Sequence, residues 1–163
     1  MNLSEFLDDL FTKEFIFRER PAPVPGDARL AWRLSTCLLI LYYSRSRRAS
    51  LRKIHFLGHA MRTDEGRSTA EMDLAQDSSR KIYKLRVEPA IGRALDFGRG
   101  SGLVDFVGRS SYQLTSEGAA VVEKVLSDEH LLTTERSFLL KVKDRATEGR
   151  IKDILEKGVD FGA

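Results

Sequence analysis

The stretch that decides the fold is Gly100–Val122, GSGLVDFVGRSSYQLTSEGAAVV, together with the segment that enters it from Glu88. Leu103, Val104, Phe106 and Val107 form a short β-rich run. Gly108-Arg109-Ser110 has turn chemistry, and Tyr112-Gln113-Leu114 returns with a polar residue between apolar neighbours. Thr115 or Ser116 then caps a helix whose first turn carries Glu117, where a carboxylate suits the positive helix end. Upstream, Pro89 suits a helix start, and the spacing predicts a helix over Pro89–Phe97 that Gly98, Gly100 and Gly102 bring to a close. The reading is therefore helix, hairpin, helix.

Working outward, Ala28–Tyr43 is expected to be a helix whose second half, Cys37–Tyr43, is apolar on every side and so central. Ser50 caps a second helix over Leu51–Arg62, with Leu51, Ile54, Leu57 and Met61 on one face. A weaker helix is read over Asp64–Gln76, and Lys81–Val87 reads as a strand. Beyond Leu126, two short helices are expected, Thr134–Val142 and Glu148–Glu156, the latter capped by Thr147. Ahead of the body lie an amphipathic segment at Asn2–Phe11, the apolar run Phe15-Ile16-Phe17, and Pro21–Gly26, which reads as a stiff linker. The expected organisation is an arm and linker over 1–26, a globular domain over 27–127 and a C-terminal helical extension over 128–163.

The ordered ending Tyr112, Leu114, Thr115, Gly118 resembles the wing and following helix of a winged-helix domain; a generic hairpin in an α+β domain is the other reading. The expected fold class is mainly α, α+β: a winged-helix core with a β-hairpin wing, an N-terminal arm and the C-terminal extension.

The composition is 42% apolar and 31% charged with one cysteine in 163 residues, which fits a globular chain without a disulfide framework or a multi-cysteine zinc site. Cys37 is expected to be a buried thiol. No secretory signal is read at the start, and Cys37–Tyr43 is too short to span a bilayer, so the cytoplasm is the expected compartment. The net charge of +3 is modest, but the cations are clustered. Arg45, Arg47, Arg48, Arg52 and Lys53 follow one another without an acid, and Arg80–Arg99 is also basic.

Arginines interleaved with serines over Ser44–Ser50 suit contact with successive phosphates, and the capped helix start at Ser50 would face the same anion. Arg109 in the turn and Arg93 in the preceding helix are where a DNA-binding winged helix would add contacts. That helix is apolar and poor in residues that read base edges, so any DNA binding is expected to be non-specific. His55 and His59 have the i, i+4 spacing of metal ligands, but they share a face with Arg52 and Arg62, and solvent-facing or contact-making histidines are expected instead. Gly98, Gly100 and Gly102 lack the Lys-Ser/Thr of a phosphate-binding loop. With no nucleophile–base pair or metal set to read, no cofactor and no metal are expected. A nuclease or hydrolase remains the remote reading.

Trp32-Arg33-Leu34 through Leu38-Leu39-Ile40-Leu41, then Arg48-Ala49-Ser50-Leu51 with Lys53-Ile54-His55 and Leu57, together with the hairpin, resemble the small middle component of three-component ABC-ATPase defence systems, the Lamassu-type relatives of SMC complexes. The resemblance covers about Asp27–Glu156. It implies a non-catalytic accessory subunit bridging an SMC-like ATPase and an effector, often a nuclease, on or near DNA. Partner contacts are then expected at Phe15, Ile16 and Phe17 and on the C-terminal helices at Phe138 and Leu139. The alternative is a stand-alone winged-helix transcription regulator, dimeric through its terminal helices.

Overall fold

The computed structural model describes residues 29–75 and 87–156. The arm with Phe15, Ile16 and Phe17, the proline linker and residues 81–86 of the expected strand lie outside the described residues. Val87 itself is exposed and belongs to no strand.

The described residues form seven α-helices and a three-stranded antiparallel sheet, a mainly helical α+β architecture. In chain order these are α1 (Leu30–Tyr42), β1 (Arg48–Ser50), α2 (Leu51–Ala60), α3 (Asp64–Ala75), α4 (Pro89–Gly100), β2 (Val104–Val107), β3 (Ser111–Leu114), α5 (Ser116–Ser127), α6 (Thr133–Val142) and α7 (Glu148–Glu156). A 3-10 turn at Arg45–Arg47 leads into β1.

α1 is the central post. Cys37 through Leu41 are all at most 2% exposed, as expected of a stretch apolar all round, and α2, α4, α5 and α6 pack against it. Burial pushes the Cys37 thiol up to about 12, so it is a core group rather than a nucleophile. Local chemistry fixes the helix starts. The Ser50 hydroxyl accepts from Lys53 N–H at 3.1 Å, Thr115 from Gly118 N–H at 3.0 Å, and Thr147 from Arg150 N–H at 3.1 Å. Pro89 opens α4, which runs three residues beyond the expected Phe97 because Gly98 and Gly100 are accommodated inside it.

β3 lies in the middle of the sheet, between β1 and β2. Its hairpin with β2 pairs Val104 with Leu114 and Val107 with Ser111, and Gly108 takes a φ of +67° at the turn. Gly118 is needed for another reason: a Cβ there would run into Leu103 O and the Leu114 side chain, so α5 could not seat behind the hairpin. The third strand corrects the sequence reading. Part of the arginine-rich stretch Ser44–Ser50, where no strand is expected, is β1, with Arg48, Ala49 and Ser50 opposite Gln113, Tyr112 and Ser111. Pairing with the otherwise free edge of β3 satisfies its backbone groups, and Ala49 turns into the core while Arg48 faces out.

The C-terminal helices are part of this core. Phe138 and Leu139, expected to contact a partner, are each 2% exposed and pack with Val142, Ile151 and Ile154 in the same apolar cluster as α1 and α2. Their amphipathic face is used within the chain. Polar ties reinforce it: Trp32 Nε1 donates to Glu135 Oε1 at 3.0 Å, and Arg150 Nη2 donates to Asp73 O at 2.7 Å. No helix among the described residues is long and apolar enough to cross a membrane.

Candidate functional site

The seven expected nucleic-acid-binding residues do not form one surface. Arg45, Arg47 and Arg48 are exposed at the turn and strand ahead of α2. Arg47 follows Ser46, both at positive φ, and lays its guanidinium 5.2 Å from the centre of the Tyr42 ring. Arg48 reaches over the hairpin, so that a Cβ on Gly108 would lie 3.3 Å from its Nη2. Arg109 is exposed in that same turn, and Leu51 N–H donates to Ser110 O at 2.8 Å, which joins the turn to the start of α2. Arg48 and Arg109 therefore share the hairpin end of the molecule.

The other three residues differ. Arg52 is exposed but pairs with Glu156 of α7 at 3.6 Å. Arg93 stands exposed on α4 and lines none of the basic groove described below. Lys53 is a correction: it is only 6% exposed, and burial lowers its pKa, with Glu148 acting in the opposite direction. The reason is the closure of the C-terminal segment over this side of α2: Lys53 stands among Tyr43 and Ser44 at the end of α1, Val142 and Lys143 at the end of α6, and Ala146.

That closure builds the most distinctive feature of this face. The Glu148 carboxylate accepts from Ser50 N–H at 2.8 Å and from the Ser50 hydroxyl at 2.6 Å. The start of α2, expected to offer itself to an external anion, is already capped by a carboxylate 98 residues away in sequence. Around this cap lies an open groove of about 700 Å³, lined by Arg45, Arg48, Ser50, Lys53, Lys143 and Glu148 among others. Four cations face one acid there. Sequence reasoning missed Glu148 and Lys143; the available signal was the acid in the first turn of α7, which reads equally well as a cap for its own helix.

A second groove, of about 770 Å³, lies between α4 and β2 on the other side of the hairpin. Asp96, Asp105, Arg99 and Phe106 line it. The Phe106 ring meets Tyr112 edge-on, with centroids 5.2 Å apart, and the Arg99 guanidinium sits 5.7 Å from the Phe106 centroid. Its two carboxylates make it a poor seat for phosphate.

His55 and His59 both make contacts with Glu88. His55 is buried; its Nδ1 lies 3.4 Å from Glu88 N–H, and burial lowers its pKa. His59, in contrast to His55, is exposed, with Nδ1 3.1 Å from Glu88 Oε1. Glu88 Oε2 also pairs with the buried Arg33 at 2.5 Å, and Oε1 lies 3.6 Å from Arg62. The polar side of α2 is thus used, with Arg62 just beyond its end, to hold Glu88 and the start of α4. Among the described residues no group of three or more His, Cys, Asp or Glu is placed to hold a metal ion.

No protein-family model matches the chain, and no curated protein or solved structure shows significant similarity to it.

Proposed function

We propose that the chain is a non-catalytic accessory subunit with a winged-helix core, bridging an SMC-like ABC-ATPase and an effector on or near DNA, in the manner its resemblance to Lamassu-type middle components implies. The observation that carries the proposal is the sheet order β1-β3-β2: a strand ahead of α2 completes the hairpin that follows α4, as a winged helix requires. Thr115 capping α5 and Gly118 admitting it behind the hairpin support the same core.

Exposed Arg45, Arg47, Arg48 and Arg109 at one end favour contact with phosphates, which positions a protein on DNA without reading sequence. α4 favours weak specificity. Its exposed residues Arg93, Asp96, Phe97 and Arg99 include one acid and one aromatic, and no Asn or Gln to read adenine. The cytoplasm, where such an assembly would meet DNA, is part of the proposal.

The test is to recover the full-length protein from its own cells with its stable partners and identify them by mass spectrometry. Co-purification of a coiled-coil ATPase and an effector is expected, with no ATP hydrolysis or nuclease activity from the purified chain alone. A homodimer that binds one palindrome tightly, with no ATPase attached, would instead establish a transcription regulator.

A further inference from the structure

Two helix starts meet in the basic groove. The ten-residue α2 begins at Ser50–Leu51 and the nine-residue α7 at Thr147–Glu148, and both ends line it. Helix starts favour anions through their free N–H groups and positive dipole end. Lys53 points to a ligand independently. It lines the groove at 6% exposure, yet its Nζ has no hydrogen-bond or ion-pair partner among the described residues. The lysine is thus largely desolvated, its ammonium supported at a distance only by the Glu148 carboxylate, and an incoming oxyanion would gain a charge-assisted hydrogen bond from it. Arg45, Arg48 and Lys143 surround it with three more cations at the groove's edge.

We propose that this groove binds a phosphate oxyanion, with Lys53 as its buried contact and the Glu148 carboxylate as a built-in competitor that holds the empty site together. Glu148 already spans Ser50 N–H and Oγ as an anionic ligand would. A phosphate entering beside it gains Lys53, Lys143 and the arginines, and is opposed by one negative charge. Two sources share this chemistry: the backbone of a nucleic acid and a small phosphate compound. The first deepens the DNA reading; the second stands without it.

The experiment is a titration of the full chain, followed by backbone amide NMR, first with inorganic phosphate at constant ionic strength set by chloride. Saturable shifts are expected at Ser50–Lys53 and Thr147–Gly149. Glu148→Gln should tighten phosphate binding at least threefold, and Lys53→Met should weaken it at least tenfold. If Lys53→Met does not fold, the exposed Lys143→Ser carries the test and should weaken binding severalfold. Linear shifts scattered over the surface, unchanged or weaker binding in Glu148→Gln, or unchanged binding in the lysine variant each overturn the site.

A second titration uses a short DNA duplex in the presence of phosphate. Displacement of phosphate at the same amides identifies the nucleic-acid backbone as the source. Phosphate binding that DNA leaves untouched identifies a small phosphate compound and removes this groove from the DNA surface. DNA that shifts only Arg47 and Arg109, with the groove silent to both probes, overturns the site while leaving the proposed function in place.

Discussion

The two grooves beside the hairpin are similar in size and opposite in chemistry. The one against α4 uses residues close in sequence, Asp96 to Val107, and sets two carboxylates against one arginine and an aromatic ring. The one against α2 joins Arg45–Lys53 to Lys143–Gly149 and sets four cations against one carboxylate. The helix before the hairpin, α4, borders the acidic groove, and the positive charge lies on the other side. The difference teaches that the C-terminal helices build the basic groove: Lys143, Thr147 and Glu148 belong to it only because α6 and α7 are part of the core.

The strongest way to break this contrast is therefore to unseat α6. Phe138 is 2% exposed, and truncating a buried phenylalanine to alanine costs roughly 3–5 kcal/mol. Phe138→Ala should lower the thermal midpoint markedly and abolish phosphate-dependent shifts at Ser50–Lys53. Amides of β2 and α4 should keep their native positions in whatever fraction stays folded. If the protein keeps full stability and loses only a partner in a pull-down, Phe138 is an interface residue and the single-core description fails.

A smaller effect is expected from charge. Replacing Arg45, Arg47 and Arg48 by Ala should weaken duplex binding uniformly across sequences. Counterion release makes the log–log salt slope shallower by about 0.9 for each phosphate no longer neutralised, or by about 3 if all three arginines reach phosphates. On the opposite side, Asp96→Asn with Asp105→Asn should leave binding unchanged or strengthen it slightly by removing repulsion. A loss of binding in the aspartate pair, with none in the arginine triple, would reverse the assignment of the two grooves.

The sequence carried the parts of this contrast that are local. Helix spans followed from 3.6-residue periodicity, the hairpin turn from Gly108, and the caps from Ser50, Thr115 and Thr147. β1 was illegible because three residues are too few to show a period, and its pairing partner lies more than sixty residues on. Phe138 and Leu139 were misplaced because an amphipathic face does not say whether its own core or another protein covers it. Burial of Lys53 and His55 had the same origin: helical spacing gives a face, but not the second layer that the end of α6 and Glu88 lay over it. The Ser50–Glu148 cap joins residues 98 apart, and the groove it shapes depends on tertiary packing alone.

The last and smallest effect concerns Lys53 itself. Burial lowers its pKa in the folded chain below the ordinary 10.5, and the Glu148 carboxylate offsets only part of that. Between the lowered value and 10.5 the unfolded chain binds more protons than the folded one, so this group makes stability rise with pH across that window. Below the folded pKa the cost of the charged form is present in full. Because the groove admits solvent and Glu148 stands near, that cost is smaller than that of a sealed, unpaired charge. Lys53→Met, which keeps most of the volume and removes the charge, should therefore be slightly more stable than the parent at neutral pH, with the gain shrinking as pH approaches 10.5. Paired denaturant titrations at several pH values measure the difference directly. A substitution that raises stability while ending phosphate binding is what a lysine kept for a ligand requires, since stabilising changes at binding sites commonly cost function. Destabilisation by Lys53→Met at every pH would mean that its ammonium holds the fold together, and the contrast between the grooves would then be one of structure rather than of use.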